Sequence, residues 1–211
     1  MKTTLTDQLR TRFGQHLEQA GRVLHGAGIH PDTITIAGLV FVFVAALFIA
    51  RGQMQLAGLI LLVGLPLDAL DGAVARAMQR TDPFGGLLDS TLDRYADGFI
   101  FAALGYYFAS LGELDKLVLA MAALIGSYGV SYARARAGEA QISVKEGLFT
   151  RLERVITLLV MLFIPPLLLP GLWLLAVGTN LTMLQRLSAT RQSIGELEGK
   201  RTPTAERRRK R

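Results

Sequence analysis

Six apolar segments alternate with short charged stretches along the chain, at roughly 33–50, 56–80, 86–110, 115–137, 153–169 and 171–189. Each approaches the about 20 residues that carry a helix across the roughly 30 Å hydrocarbon layer of a bilayer. In lipid every backbone N–H and C=O needs a partner within the chain, so these runs predict helices. Proline at Pro31 followed by Asp32 marks a helix start before the first run, and Pro170-Gly171 predicts a tight, uncharged turn between the fifth and sixth. Ahead of the runs, Leu9, Phe13, Leu17, Val23 and Leu24 recur at helical spacing with Arg10, Arg12, Glu18 and Arg22 between them. That pattern predicts an amphipathic juxtamembrane helix within residues 1–30, lying on the membrane surface. It has none of the basic start, apolar centre and small-residue cleavage site of a signal peptide, and is expected to stay attached. The predicted fold class is therefore all-α integral membrane, with six transmembrane helices in a domain over 31–192. Residues 193–211 have almost no apolar content and are expected to form a disordered basic tail. The tail suits anionic lipid headgroups, at about 1 kcal/mol per basic residue, as well as plain solubilisation.

Composition agrees with the pattern: 51% of the 211 residues are hydrophobic, and the mean hydropathy is +0.36. With an even number of spans both termini share one side. If that side is cytoplasmic, all 23 Lys and Arg except Arg51 and Lys116 fall there or in the membrane's cytoplasmic margin. This asymmetry predicts a multi-pass protein of the cell (plasma) membrane with cytoplasmic termini. The net charge of +6 then belongs to topology and membrane lipids, and no nucleic-acid partner is expected. The absence of cysteine removes disulfides, thiolate nucleophiles and cysteine–metal sites. His16, His25 and His30 all precede the apolar runs, away from the acidic residues that carry the chemistry.

Those acidic residues are crowded. Asp68, Asp71, Asp82, Asp89, Asp93 and Asp97 fall within thirty positions, between and inside apolar runs. Asp68 and Asp71 are spaced i, i+3 and Asp89 and Asp93 i, i+4, so each pair shares a helix face. The second run heads towards the cytoplasm and the third away from it, so a short connection around Gln79–Gly85 sets the two faces opposite each other. A carboxylate at a helix centre costs about 2.5–3.5 kcal/mol on insertion scales, and like charges add repulsion. Arg76 and Arg94 are too few to balance six aspartates, whereas Mg²⁺ or Mn²⁺ accepts oxygen from several carboxylates at once. Two such ions would suit phosphoryl transfer. Gly72 and Ala75 lie on or beside the same face; small residues there permit close helix packing or make room for a nucleotide. Gly85 suits either the turn or the nucleotide.

The series Asp68-x2-Asp71-Gly72-x2-Ala75-Arg76-x8-Gly85-x3-Asp89-x3-Asp93 resembles the signature of the CDP-alcohol phosphotransferase family at every specified position. The resemblance implies a six-span membrane enzyme in which an alcohol attacks the β-phosphate of a CDP-linked lipid and CMP leaves. It implies metal ligation by Asp68, Asp71, Asp89 and Asp93, a general-base role for Asp93, CDP binding by Gly72 and Arg76, and a homodimer. Pro31-Asp32-Thr33-Ile34-Thr35 is similar to the family's Pro-Asn/Asp-x-x-Thr element beside the CDP headgroup; it also reads as a helix cap. Ala75, Gly85 and Asp82 join the nucleotide-binding candidates, although Thr81-Asp82-Pro83-Phe84 departs from the usual turn.

The acceptor is encoded in a second basic region. Ser131-Tyr132-Ala133-Arg134-Ala135-Arg136 and Thr150-Arg151-Leu152-Glu153-Arg154 resemble elements of bacterial phosphatidylinositol phosphate synthases and archaeal archaetidylinositol phosphate synthases. A first glutamate of the second element is missing. Arg134, Arg136, Arg151 and Arg154 are the candidates for holding an acceptor phosphate, since guanidinium forks match phosphate oxygens; as cytoplasmic charges they also suit topology. The resemblance implies CDP-diacylglycerol as donor and 1D-myo-inositol 3-phosphate as acceptor. Glycerol 3-phosphate would use similar charges, and an ether-linked lipid would leave the polar site unchanged. A transporter or channel lined by buried aspartates, and a non-catalytic scaffold, are the readings from other classes.

Overall fold

Prolines and five residues of left-handed conformation, Gly28, Gly52, Gln79, Gly112 and Gln141, set helix boundaries among the described residues. The computed structural model describes residue 14 and residues 18–80, 83–143 and 147–209, with side chains up to 196 other than those of 65, 66 and 68. Every regular element among the described residues is helical: α1 (18–26), α2 (Pro31–Ala50), α3 (Met54–Ala77), α4 (Pro83–Ser110), α5 (Leu114–Glu139), α6 (Arg151–Phe163) and α7 (Leu168–Arg209). Contacts divide the chain into two compact units, Met1–Tyr107 and Phe108–Arg211.

In the first unit α2 packs along α3. Pro31 opens α2, and the His30 imidazole accepts from the Asp32 amide at 3.4 Å. Ile34, Ala45 and Ile49 of α2 and Ala57, Leu61 and Val74 of α3 are buried. Of the residues expected on the amphipathic leader, Leu9, Arg10, Arg12, Phe13 and Leu17 lie outside the described residues. Gly21 of α1 lies so close to α3 that a Cβ there would come within 2.7 Å of the Ala73 carbonyl carbon.

In the second unit α7 packs against α5 and α6. Gly126 of α5 lies so close to α7 that a Cβ would overlap the Thr179 hydroxyl. Asn180 strengthens this seam by donating to the Ala122 carbonyl at 2.9 Å. The loop before α6 is tied to α7: Leu148 N–H donates to Gln185 Oε1 at 3.2 Å and Phe149 N–H to Thr182 Oγ1 at 2.9 Å. A Thr150–Glu153 capping box then starts α6, with Glu153 Oε2 accepting from the Thr150 amide at 2.9 Å.

Four stretches among the described residues are long and apolar enough to cross a membrane: Pro31–Ala50, Met54–Ala77, Leu114–Glu139 and Pro165–Glu196. The first has a mean hydropathy of 2.6 with only 22% of it buried, so most of its apolar surface faces outward. Such surface suits lipid rather than water. The other two sequence segments fall short of this standard for physical reasons. Helix α4 has the length, at 28 residues, but carries Asp89, Asp93, Arg94 and Asp97. Helix α6 has 13 residues, which reach about 20 Å at 1.5 Å per residue.

The break between the fifth and sixth segments lies earlier than Pro170-Gly171. Helix α6 ends at Phe163, a 3₁₀ turn occupies Pro165–Leu167, and α7 has begun by Leu168. Two consecutive prolines remove two amide donors and stop α6, whereas Pro170 falls in the first turn of α7, where amides need no intrahelical partner. The helical backbone of α7 runs on to Arg209, through a segment whose composition predicts disorder. Good helix formers such as Glu, Leu, Lys, Ala and Arg predominate there.

Candidate active site

The acidic residues of α3 and α4 meet the start of α2 around a cavity of about 220 Å³ in the first unit. Pro31, Asp32 and Thr35 line it from α2. Asp71, Gly72 and Ala75 face it from α3, and Gly85, Gly86 and Asp89 from the first turns of α4. Arg80, from the connection between α3 and α4, completes the wall. Helical spacing explains the selection: 31 and 35, 71 and 75, and 85 and 89 are each one turn apart.

Asp71 is 93% buried, with a residual exposure of 7%, so its charge needs local partners. The Gly72 amide hydrogen-bonds to Asp71 Oδ1 at 2.5 Å. Thr35 Oγ1 lies 2.7 Å from Asp71 Oδ2 and 3.1 Å from the Pro31 carbonyl. One hydroxyl proton serves one acceptor at a time, and the shorter contact to the carboxylate is the stronger. Thr35 therefore joins α2 to the acidic face of α3. Its sequence signal was the spacing from Pro31, which places both on one side of the helix.

The other residues predicted for the nucleotide and metal sites lie elsewhere. Thr33 is exposed and Ile34 is buried in the core, and neither lines the cavity. Arg76 lies outside the cavity wall, but its guanidinium comes back over Gly72, 3.3 Å from where a Cβ would stand. Asp93 sits one turn beyond Asp89 and pairs with Arg94 at 3.2 Å. Asp82 and the Asp68 side chain lie outside the described residues. Among the described residues no group of three His, Cys, Asp or Glu is placed to hold a metal. Of the predicted metal ligands, Asp71 and Asp89 do face the cavity, and carboxylates fit a hard divalent cation.

All four acceptor candidates belong to the second unit. Arg134 is exposed on α5, Arg136 forms an ion pair with Glu139, and Arg151 is exposed at the first position of α6. Arg154 is the buried one and donates to the Ser127 carbonyl at 3.3 Å. Arg186 of α7, which the sequence offered only as a topology charge, is also buried and donates to the Val130 carbonyl at 2.9 Å. Two buried guanidiniums thus face neighbouring turns of α5, at Ser127 and Val130.

The model of the CDP-alcohol phosphatidyltransferase family matches residues 28–184, which takes in every candidate residue read from the sequence, with Arg186 just beyond it. The chain belongs to this family. An archaetidylinositol phosphate synthase of Pyrococcus horikoshii is 35% identical over 193 residues, covering 90% of this chain and 98% of that one. A phosphatidylinositol phosphate synthase of Mycobacteroides abscessus is 35% identical over 198 residues, covering 90% of each. The crystal structure of Mycobacterium tuberculosis phosphatidylinositol phosphate synthase with CDP-DAG bound matches with a TM-score of 0.77 at 30% identity, over 82% of this chain and 92% of that chain. The same mycobacterial protein in complex with manganese and citrate matches with a TM-score of 0.76 at 31% identity, over 82% and 88%. The matched region includes the cavity between α2, α3 and α4 with the acidic residues that line it.

Proposed function

We propose that the protein transfers the phosphatidyl group of CDP-diacylglycerol to 1D-myo-inositol 3-phosphate, giving phosphatidylinositol phosphate and CMP. One observation carries the reading: Asp71, Gly72, Ala75, Gly85 and Asp89, five positions of the family signature, line one cavity together with Pro31 and Asp32. The likeness to synthases of this name supports inositol phosphate as the acceptor. The similar likeness to the archaeal enzyme supports an inositol-type acceptor while leaving an ether-linked donor as the second reading.

In this scheme the acceptor hydroxyl attacks the β-phosphorus of the CDP lipid. A bond forms between that oxygen and phosphorus, and the bond from phosphorus to the bridging oxygen breaks, releasing CMP. A sugar hydroxyl is a poor nucleophile at neutral pH, so Asp93 takes its proton. Asp68, Asp71, Asp89 and Asp93 would hold divalent metal, Mg²⁺ or Mn²⁺ and two ions in our reading, which supplies charge compensation for the pyrophosphate and the departing CMP. Asp32, Gly72, Ala75, Arg76 and Gly85 form the nucleotide side of the site, with Thr35 fixing Asp71. Arg154, with Arg186 beside the same α5 backbone, holds the acceptor phosphate. The diacylglycerol tails stay in lipid. Six spans, with α4 and α6 as the charged and the short one, put both termini and the site on the cytoplasmic side of the cell membrane. The protein works as a homodimer.

Thr35→Val keeps the side-chain volume and removes the hydroxyl, leaving a buried carboxylate short of one donor. Charge-assisted bonds contribute about 1.5–3 kcal/mol, so CMP formation is expected to fall at least about tenfold, checked by initial rates at saturating substrates. The acceptor assignment is tested with purified protein, CDP-diacylglycerol and each phosphorylated alcohol in turn. CMP release is expected with inositol phosphate at a rate well above that with glycerol 3-phosphate; the opposite order would replace the acceptor.

A further inference from the structure

Helices α3 and α5 both close on a glutamine of left-handed conformation, and the residue that follows differs between them. At the end of α5 the Gln141 amide (φ 59°) donates to the Gly138 carbonyl and the Ile142 amide to the Ala137 carbonyl, both at 2.9 Å. At the end of α3 the Gln79 amide (φ 51°) donates to the Arg76 carbonyl at 3.1 Å and the Arg80 amide to the Ala75 carbonyl at 3.0 Å. In this closure the last residue ordinarily packs an apolar side chain back on its helix. Ile142 does so, in a buried cluster with Ala137. Arg80 stands in the same position and carries a guanidinium instead.

That guanidinium is held at both sides. It meets the Asp32 carboxylate with two nitrogens, Nη1 to Oδ1 and Nη2 to Oδ2, the second at 3.2 Å. Its central carbon lies across Gly85, 2.9 Å from where a Cβ would be. The Arg80 side chain is 13% exposed and that of Asp32 23%. Both line the cavity that also contains Asp71 and Asp89. A pocket that receives a pyrophosphate is poorly served by a further uncompensated carboxylate, because like charges repel strongly at partly buried sites. A two-toothed arginine removes that charge and fixes the carboxylate's direction, which a lysine point charge does less well.

We propose that Arg80 is a positioning residue of the CDP-lipid site, holding and neutralising Asp32 on the cavity wall across the bare backbone of Gly85. Gly85 thereby serves the site through Arg80. This inference rests on the cavity's being the nucleotide pocket of the transferase reading.

The test measures kcat and KM for CDP-diacylglycerol in detergent-purified full-length protein, for wild type, Arg80→Lys, Arg80→Ala, Asp32→Asn and the D32N/R80A pair. Arg80→Ala is expected to raise this KM roughly tenfold or more, with a smaller change in kcat and an unchanged KM for the acceptor. Arg80→Lys is expected to recover only part of the loss while melting close to wild type. Because Arg80 acts through Asp32, the double variant is expected to be no worse than Arg80→Ala alone. A wild-type KM in Arg80→Lys overturns the inference, and this holds even if the alanine variant does not fold. Multiplied effects in the double variant also overturn it, since they would make the two residues independent. Absence of CMP release by the wild-type protein would instead sink the transferase reading before any variant is compared.

Discussion

Asp93→Asn is expected to lower turnover by about 10³-fold while leaving the purified protein folded. The change is isosteric; it removes the ability to take a proton together with the negative charge that would also face metal and that pairs with Arg94. General-base contributions of 10²–10⁴-fold are ordinary for a positioned carboxylate. Asp93 lies one turn along α4 from Asp89, which lines the cavity, and its partner Arg94 is its neighbour in sequence. Initial rates of CMP release, with circular dichroism and melting as controls, check the expectation. Undiminished turnover would remove Asp93 from the proton-transfer step, and the scaffold reading predicts just that outcome.

Arg154→Lys is expected to raise the KM for inositol phosphate by at least about tenfold, with little change in the KM for CDP-diacylglycerol. Lysine keeps the charge but not the planar fork that pairs with phosphate oxygens. Of the four arginines in the two acceptor elements, Arg154 is the one that is buried, and its guanidinium reaches the Ser127 carbonyl of α5. The exposed Arg134 and Arg151, and Arg136 in its ion pair with Glu139, lack that enclosure. An equal loss for both substrates would mark Arg154 as a support of the α5–α6 packing rather than an acceptor ligand. Separate titrations of the two substrates distinguish these results.

Asp71 and Asp89, which line the cavity, were legible because helical spacing is rigid: the i, i+3 and i, i+4 pairs announce two faces whatever the surroundings. Gly72, Ala75 and Gly85 were legible for the same reason, by offset from those carboxylates. Thr35 was half legible, quoted in a capping element without its partner Asp71, because a contact between α2 and α3 depends on how those helices pack. Arg80 and Arg186 were hidden among topology charges. Lysine and arginine counts set orientation without regard to geometry, so they cannot separate a guanidinium locked onto Asp32 from one in open solvent. The α6–α7 boundary was misplaced since Pro170-Gly171 and Pro165-Pro166 are both turn signals, and only the position within a helix decides which proline is tolerated.

The cavity lined by Asp71, Gly72 and Asp89 is expected to bind a CDP lipid and pass its phosphatidyl group to an alcohol. Product analysis of the purified protein with CDP-diacylglycerol, inositol phosphate and divalent metal tests it most directly. The account predicts one CMP released for each phosphatidylinositol phosphate formed, with both products lost when metal is chelated. Release of CMP with phosphatidic acid in place of phosphatidylinositol phosphate, or no turnover of the CDP lipid with any phosphorylated alcohol, would contradict it.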